Sequence, residues 1–204
     1  MVGPNVKLSK SLSWLLRHGA DKSGLTLGEG GFLAVDQVLS LPSFRQYTQE
    51  DIQKVVEQND KQRFTLKSVD GRLFIRANQG HSLAVEKLEL TQVTDADQFP
   101  VVVHGTQASL WPKIRAQGLS RMSRSHIHFA KGLPGDGEVI SGMRSTCSLW
   151  IFVDLERALA DGFRFDQSTN GVILCAGNEH GFVPSKYFSR VLMKSNGEMR
   201  EIEL

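Results

Sequence analysis

A chain of 204 residues has room for one large domain or two small ones. With 40% hydrophobic and 23% charged residues, its composition is that of an ordinary soluble globular protein. The formal net charge of +2 is too small to announce nucleic-acid binding, so any basic surface must come from local clustering, and no apolar run is long enough to span a bilayer.

Leu8, Leu12, Leu15 and Leu16 recur at helical spacing and predict a first helix from about Leu8 to His18 with one face turned to a core. Gly19 stands where a C-cap glycine belongs. Arg17 and His18 then fall in the last turn, where the macrodipole favours cations. Taken alone, they are helix-end cations on a solvated face. "GGFLAVDQVLSL" predicts a short extended piece and a second helix. "YTQEDIQKVVEQND" predicts a third, with Thr48 as N-cap and acidic residues in the first turn. "RFTLKSVDGRLFIRA" has two β-rich arms around Asp70-Gly71, a hairpin signal. Three helices followed by a hairpin is the winged-helix order. Such modules bind nucleic acid or serve as protein-interaction modules.

"TQVTDADQFP", residues 91–100, is polar, acidic and ends in proline before the apolar run "VVV". It divides the chain into two expected domains, 1–94 and 95–204. The second is richer in short strands: "PVVVHGT", "SHIHFA", "SLWIFVDL" and "GVILCAG", with a helix in "QASLWPKIRAQGL" closed by Gly118. These predict an α+β domain with a largely antiparallel sheet. There is no G-x-G-x-x-G after a first strand and no P-loop.

Several polar residues stand at element ends, where functional side chains are presented. In "VHGT", His104 ends a buried strand, and Gly105 lets backbone approach a planar ligand amide. Equally, Thr106 can be the N-cap of the following helix. His126 and His128 are expected on one face of a strand. They lack an obvious third ligand, so a polar cleft wall is expected rather than a metal site. Arg144 precedes an apolar strand, placed for a phosphate or a surface ion pair. Arg63 stands where the third helix hands over to the hairpin, and "RANQGHS" follows the hairpin with a polar stretch. Cys147 and Cys175 sit in apolar stretches. They read as core residues in a reducing compartment, the cytoplasm or nucleus. No secretory signal peptide is expected.

Taken in order, "LSKSLSWLLRHGA…GLTL…GF", "QRFTL", "IRANQGHS", "VVHGT", "MSRSHIHFA" and "ISGMR" resemble the RNA (tRNA) 2′-phosphotransferases, with spacings like those of the eukaryotic enzymes. The resemblance covers roughly residues 7–192. It implies a winged-helix RNA lobe and an NAD-binding lobe of the ADP-ribosyltransferase fold. It implies a catalytic group of Arg17, His18, Arg63 and Arg144. NAD contacts are implied at His104, Gly105 and Thr106, with Ser123 and Ser141 from the next two motifs. Lys10 and Ser13 lie about one or two turns before Arg17 and either join its phosphate site or are solvated. No metal is expected, and the chain is expected to be a monomer.

The implied reaction consumes NAD⁺ as co-substrate. An internal RNA 2′-phosphate, as left on spliced tRNA, attacks the nicotinamide ribose and nicotinamide leaves. The neighbouring 2″-hydroxyl then attacks the phosphate, giving 2′-OH RNA and ADP-ribose 1″,2″-cyclic phosphate. Two anions must be held together, which guanidinium forks do well. A histidine can supply a proton to the leaving oxygen or ligate the phosphate. Transfer of ADP-ribose to a nucleic-acid terminal phosphate or a protein is the alternative enzyme reading. A non-catalytic RNA-binding protein is the alternative outside enzymes.

Overall fold

Leu8 and Leu12 are fully buried on the first helix, α1 (Val6–Trp14), in a computed structural model that describes residues 6–133, 143, 146–195 and 197–204. The chain then widens into a π-turn over Leu15–Gly19, so Arg17 and His18 lie on a π-turn and not in the last turn of an α-helix. Gly19 is not the expected C-cap. It has no positive φ, and the following Ala20 is still right-handed helical. The left-handed cap comes at Gly24 (φ 72°), after the short 3₁₀ turn Asp21–Ser23. What holds position 19 to glycine is space: a Cβ there would lie 2.4 Å from the Trp14 ring.

A 3₁₀ turn (Glu29–Gly31) leads to β1 (Leu33–Ala34), α2 (Val35–Ser40) and α3 (Gln49–Glu57). Thr48 caps α3 as expected, in a full capping box. Its hydroxyl accepts from Asp51 N–H, and its own N–H donates to the Asp51 carboxylate at 2.9 Å. β2 (Phe64–Val69) and β3 (Arg72–Ala77) form the predicted hairpin. Asp70 and Gly71 turn it with φ of 51° and 77°, the signs a tight two-residue turn demands. The sheet order is β1-β3-β2, antiparallel throughout. Leu8, Leu12, Leu15 and Leu16 pack with Ile52, Phe64 and Ile75 in one core. Each buried leucine contributes about 2 kcal/mol.

The chain forms two compact units, Met1–Glu89 and Leu90–Leu204. β4 (Leu90–Val93), inside the polar stretch that marks the junction in the sequence, is already paired in a sheet of the second unit. That unit continues through β5 (Val103–Thr106), α4 (Trp111–Gln117), β6 (Leu119–Ser120), β7 (Ile127–Phe129) and β8 (Leu149–Val153). Then come α5 (Leu155–Ala160), β9 (Phe165–Ser168), β10 (Ile173–Cys175), β11 (Phe182–Val183), β12 (Phe188–Ser195) and β13 (Glu198–Glu201). Two four-stranded sheets, β4-β9-β10-β7 and β13-β12-β8-β5, are antiparallel, as is the small β11-β6 pair. Phe129, Phe165 and Ile173 from one sheet and Leu149, Ile151 and Val191 from the other share a single core. Backbone bonds between Val103 and Ala130 (3.0 and 2.8 Å) tie the two sheets together. The mixed α and β content with antiparallel sheets agrees with the α+β expectation. Among the described residues no helix is long and apolar enough to cross a membrane.

Candidate functional site

In the first unit, three of the sequence-predicted residues depend on one short segment. β3 runs straight into Asn78-Gln79-Gly80-His81, all buried although three of the four are polar. Buried polar groups must be partnered, and these partners are specific. Asn78 donates from Nδ2 to the Gln62 carbonyl (2.8 Å) and accepts from the Thr65 hydroxyl (2.6 Å). Its backbone N–H donates to the carbonyl of Arg63 (2.9 Å). Arg63 N–H in turn donates to Asn59 Oδ1 at 3.1 Å. The residue before Arg63, Gln62, has φ 43°, a strained conformation for a side-chain-bearing residue, held by these bonds. Arg63 is half-buried, and burial pushes its guanidinium down from the usual range while Asp60 opposes the shift.

The far end of the same segment holds Arg17 and His18. Ser82 and Leu83 donate their backbone N–H groups to the Arg17 carbonyl at 3.0 and 3.3 Å. Gly80 (φ 91°) lies under the Arg17 side chain, where a Cβ would come within 3.2 Å of Nε. The Arg17 Nε and Nη2 atoms are shielded from solvent. Ser82 Oγ stands 2.8 Å from His18 Nδ1 and 3.4 Å from the Arg17 carbonyl. A serine hydroxyl has one proton. With that proton directed at the carbonyl, Oγ accepts from Nδ1–H, which fixes the imidazole ring. Arg17 and His18 are therefore half-buried and packed, not on the solvated face that their local sequence allows. Lys10 is exposed on α1 and Ser13 half-exposed.

In the second unit, Thr106 ends β5 and does not cap the next helix. The Ala108 N–H that opens the following turn donates instead to Ser148 Oγ at 2.9 Å. The bare Cα of Gly105 is met by the protein itself, not left open for a ligand amide. A Cβ there would lie 2.4 Å from Met143 Cγ and 2.9 Å from Cys147 Sγ. Trp150 Nε1 donates to the Met143 sulfur at 3.1 Å. His104 Nδ1 engages the His128 carbonyl (2.8 Å), and its ring meets Phe129 edge-on. Burial pushes the His104 pKa below 6.5, opposed by that carbonyl and helped by the charge of Arg124. His126 lies just before β7 and not on it; burial lowers it too, with Arg121 and Arg164 adding and Asp166 opposing. Arg164 forks onto the buried Asp166 at 3.0–3.1 Å. Ser123 is exposed in the turn between β6 and β7. Arg144 and Ser141 lie outside the described residues.

Cys147 and Cys175 are both buried thiols. Among the described residues no group of three or more His, Cys, Asp or Glu could hold a metal ion. Around β7, Arg121, Arg124 and Arg164 outnumber the one carboxylate, Asp166. A cationic, half-buried donor set of this kind fits an anion such as a dinucleotide pyrophosphate.

The composition of "IRANQGHS" hints at a site, but it names neither Asn78 nor Ser82 as the residue that orients another. The readable signal is a run of polar residues with a glycine directly after an apolar strand. Nothing in the sequence places Asn59 against Arg63.

A profile of the RNA 2′-phosphotransferase, Tpt1 / KptA family matches residues 3–177. The chain is 50% identical over 190 residues to tRNA 2′-phosphotransferase 1 of Danio rerio, covering 91% of this chain and 84% of that protein. It is 52% identical over 191 residues to tRNA 2′-phosphotransferase 1 of Homo sapiens (92% and 76% covered). It is 35% identical over 201 residues to the tRNA 2′-phosphotransferase of Saccharomyces cerevisiae (94% and 85%). Matches of this extent and identity, over a chain whose motifs stand in the family's order, place it: the chain belongs to the RNA 2′-phosphotransferase, Tpt1 / KptA family.

Proposed function

We propose that the chain removes an internal 2′-phosphate from RNA, of the kind carried by spliced tRNA, by transferring it to NAD⁺. The observation that carries this reading is the segment Asn78–Ser82, which fixes Arg63 at one end and Arg17 and His18 at the other. The relatives' names point the same way. In this reading residues 1–94 are a winged-helix RNA lobe, supported by three helices followed by a hairpin. Residues 95–204 are an ADP-ribosyltransferase-like NAD lobe, supported by the antiparallel sheets and the cationic group around β7. The chain acts in the cytoplasm or nucleus.

A 2′-phosphate is anionic at neutral pH, so it needs no general base before it attacks. It needs to be held. Arg17 and Arg63 bring permanent charge and planar forks that match phosphate oxygens. Their placement by packed backbone means little reorganisation accompanies binding. His18, its ring oriented by Ser82, ligates the phosphate and gives a proton from Nε2 to the departing RNA 2′-oxygen. NAD⁺, when bound, supplies an electrophilic sugar carbon and nicotinamide as leaving group. His104, Gly105, Thr106, Ser123 and Ser141 are the residues proposed to hold it, with Arg121 and Arg124 near its pyrophosphate and Arg144 as the third catalytic arginine.

The test is one incubation of purified protein with NAD⁺ and a short RNA bearing a single internal 2′-phosphate. RNA mass and the ADP-ribose product are followed, with Arg17→Ala and His18→Ala alongside. The expected outcome is 2′-OH RNA with ADP-ribose 1″,2″-cyclic phosphate, strongly slowed in both variants. RNA that gains ADP-ribose and stops there would replace this reading with ADP-ribosyl transfer. Unchanged RNA and intact NAD⁺ would refute both.

A further inference from the structure

Trp14 has no part in the proposed mechanism, yet its placement is costly. It is 50% exposed, whereas the other two tryptophans, Trp111 and Trp150, are 9% and 5% exposed. It is not loose. The six-membered part of its ring rests on Gly19, and that close approach is what excludes a Cβ at position 19. The ring is thus held on one side by backbone and open on the rest. Keeping a large apolar surface wet forgoes about 2 kcal/mol of burial. On α1 the alternative is within reach, since Leu8 and Leu12 on the other face are fully buried.

The neighbours of Trp14 define what would lie on it. Lys7 and Lys10 precede it by seven and four residues and share its helix face. Both are exposed, and neither joins an ion pair among the described residues. Arg17 and His18 come three and four residues later. No acidic residue occurs in the first twenty positions. The stripe therefore runs cation, cation, indole and then the phosphate-site pair, with nothing along it to repel an anion. Single-stranded RNA matches that order. Its phosphates meet spaced cations, and its unstacked bases lie on aromatic rings.

We propose that Trp14 is a stacking platform for the base flanking the 2′-phosphate, with Lys7 and Lys10 holding the adjoining backbone phosphates. This rests on the reading of Arg17 and His18 as the 2′-phosphate site. It adds a reason for the enzyme to act on an internal phosphate in an unpaired stretch: one nucleotide is held by its phosphate and its neighbour by its base.

The test uses the full chain and an oligoribonucleotide with one internal 2′-phosphate, first without NAD⁺. Because Trp111 and Trp150 are buried, RNA-dependent quenching of tryptophan emission reports on Trp14. The expected result is saturable quenching that is absent in Trp14→Phe. In turnover assays Trp14→Leu raises the KM for RNA about ten-fold with kcat within about two-fold of the parent, and Trp14→Phe restores most of the loss. Lys7→Gln and Lys10→Gln each flatten the dependence of log affinity on log salt by about 0.7. Turnover of the RNA without quenching, or with the same KM in Trp14→Leu, would overturn the platform and leave the phosphotransferase reading standing. Quenching without any turnover would do the reverse. Concentration-dependent self-association that Trp14→Leu abolishes, with RNA binding unaltered, would make the ring a contact between copies and overturn the proposal.

Discussion

Ser82 Oγ lies 2.8 Å from Nδ1 of His18, a residue 64 positions away in the chain. The contact converts a helix-end histidine into an oriented one. Its expected consequence is kinetic. Ser82→Ala removes one hydrogen bond at an exposed position and leaves the fold intact. The kcat for 2′-phosphate removal falls about three- to ten-fold, the range that one such bond accounts for. Ser82→Thr retains most of the rate. Steady-state assays with a thermal-melt control check both.

Gly80 combines two constraints in one residue. Its φ of 91° disfavours any Cβ, and that Cβ would press on Arg17 Nε at 3.2 Å. Gly80→Ala is expected to lose about 1–2 kcal/mol of stability from the backbone alone. It also displaces the Arg17 guanidinium, so kcat/KM drops at least about ten-fold. Urea unfolding and turnover, measured on the same preparation, separate the two effects. Stability lost with full activity retained would remove Gly80 from the support of Arg17.

The second unit carries a pH signature. His104 titrates below 6.5 in the folded protein because burial disfavours its charged form, and Arg124 adds to that. The unfolded chain therefore takes up a proton near pH 6.5 that the folded chain refuses. Stability is full above pH 6.5 and declines as pH falls from there toward the lowered folded-state value. His126 shifts in the same direction and contributes to the same decline. His104→Asn keeps an N–H donor for the His128 carbonyl but cannot titrate. Its urea midpoint is expected to change less between pH 7.5 and 5.5 than that of the parent.

Cys175 is 1% exposed, and burial pushes its thiol up to about 11. At pH 8 it is almost wholly protonated and covered. Iodoacetamide is expected to leave it unmodified in the folded protein and to label it after urea unfolding, as read by peptide mass spectrometry. Labelling at the same rate in both states would mean that β10 opens readily.

Legible and concealed features of the sequence divide along a physical line. The Asp70-Gly71 hairpin, the Thr48 cap and the antiparallel strands arise from local chemistry, and local chemistry is legible. The α1 boundary is not. Gly19 looks like a cap, and only the packing of Trp14 against it explains why the chain stays helical and widens. Thr106 looks like a cap for the same reason, and Ser148, far along the chain, takes that role. His126 and His128 suggest a shared strand face, but β7 begins only at Ile127. In the candidate site the charged residues can be found from sequence because their types announce chemistry. The residues that hold them, Asn59, Asn78 and Ser82, act largely through contacts distant in sequence. A short window of sequence rarely contains both partners.

The π-turn at Leu15–Gly19 has a consequence for how this segment can vary. A π-turn takes up one residue more than an α-helix over a comparable rise. Removing any single residue there would let the helix run on regularly while rotating the downstream residues by about 100°. The leucine that seats the helix and the arginine that meets the phosphate would then point from the wrong sides of the same rod. Selection on this stretch therefore acts on its count as well as its spelling. A one-residue deletion is expected to cost more activity than any conservative replacement within it.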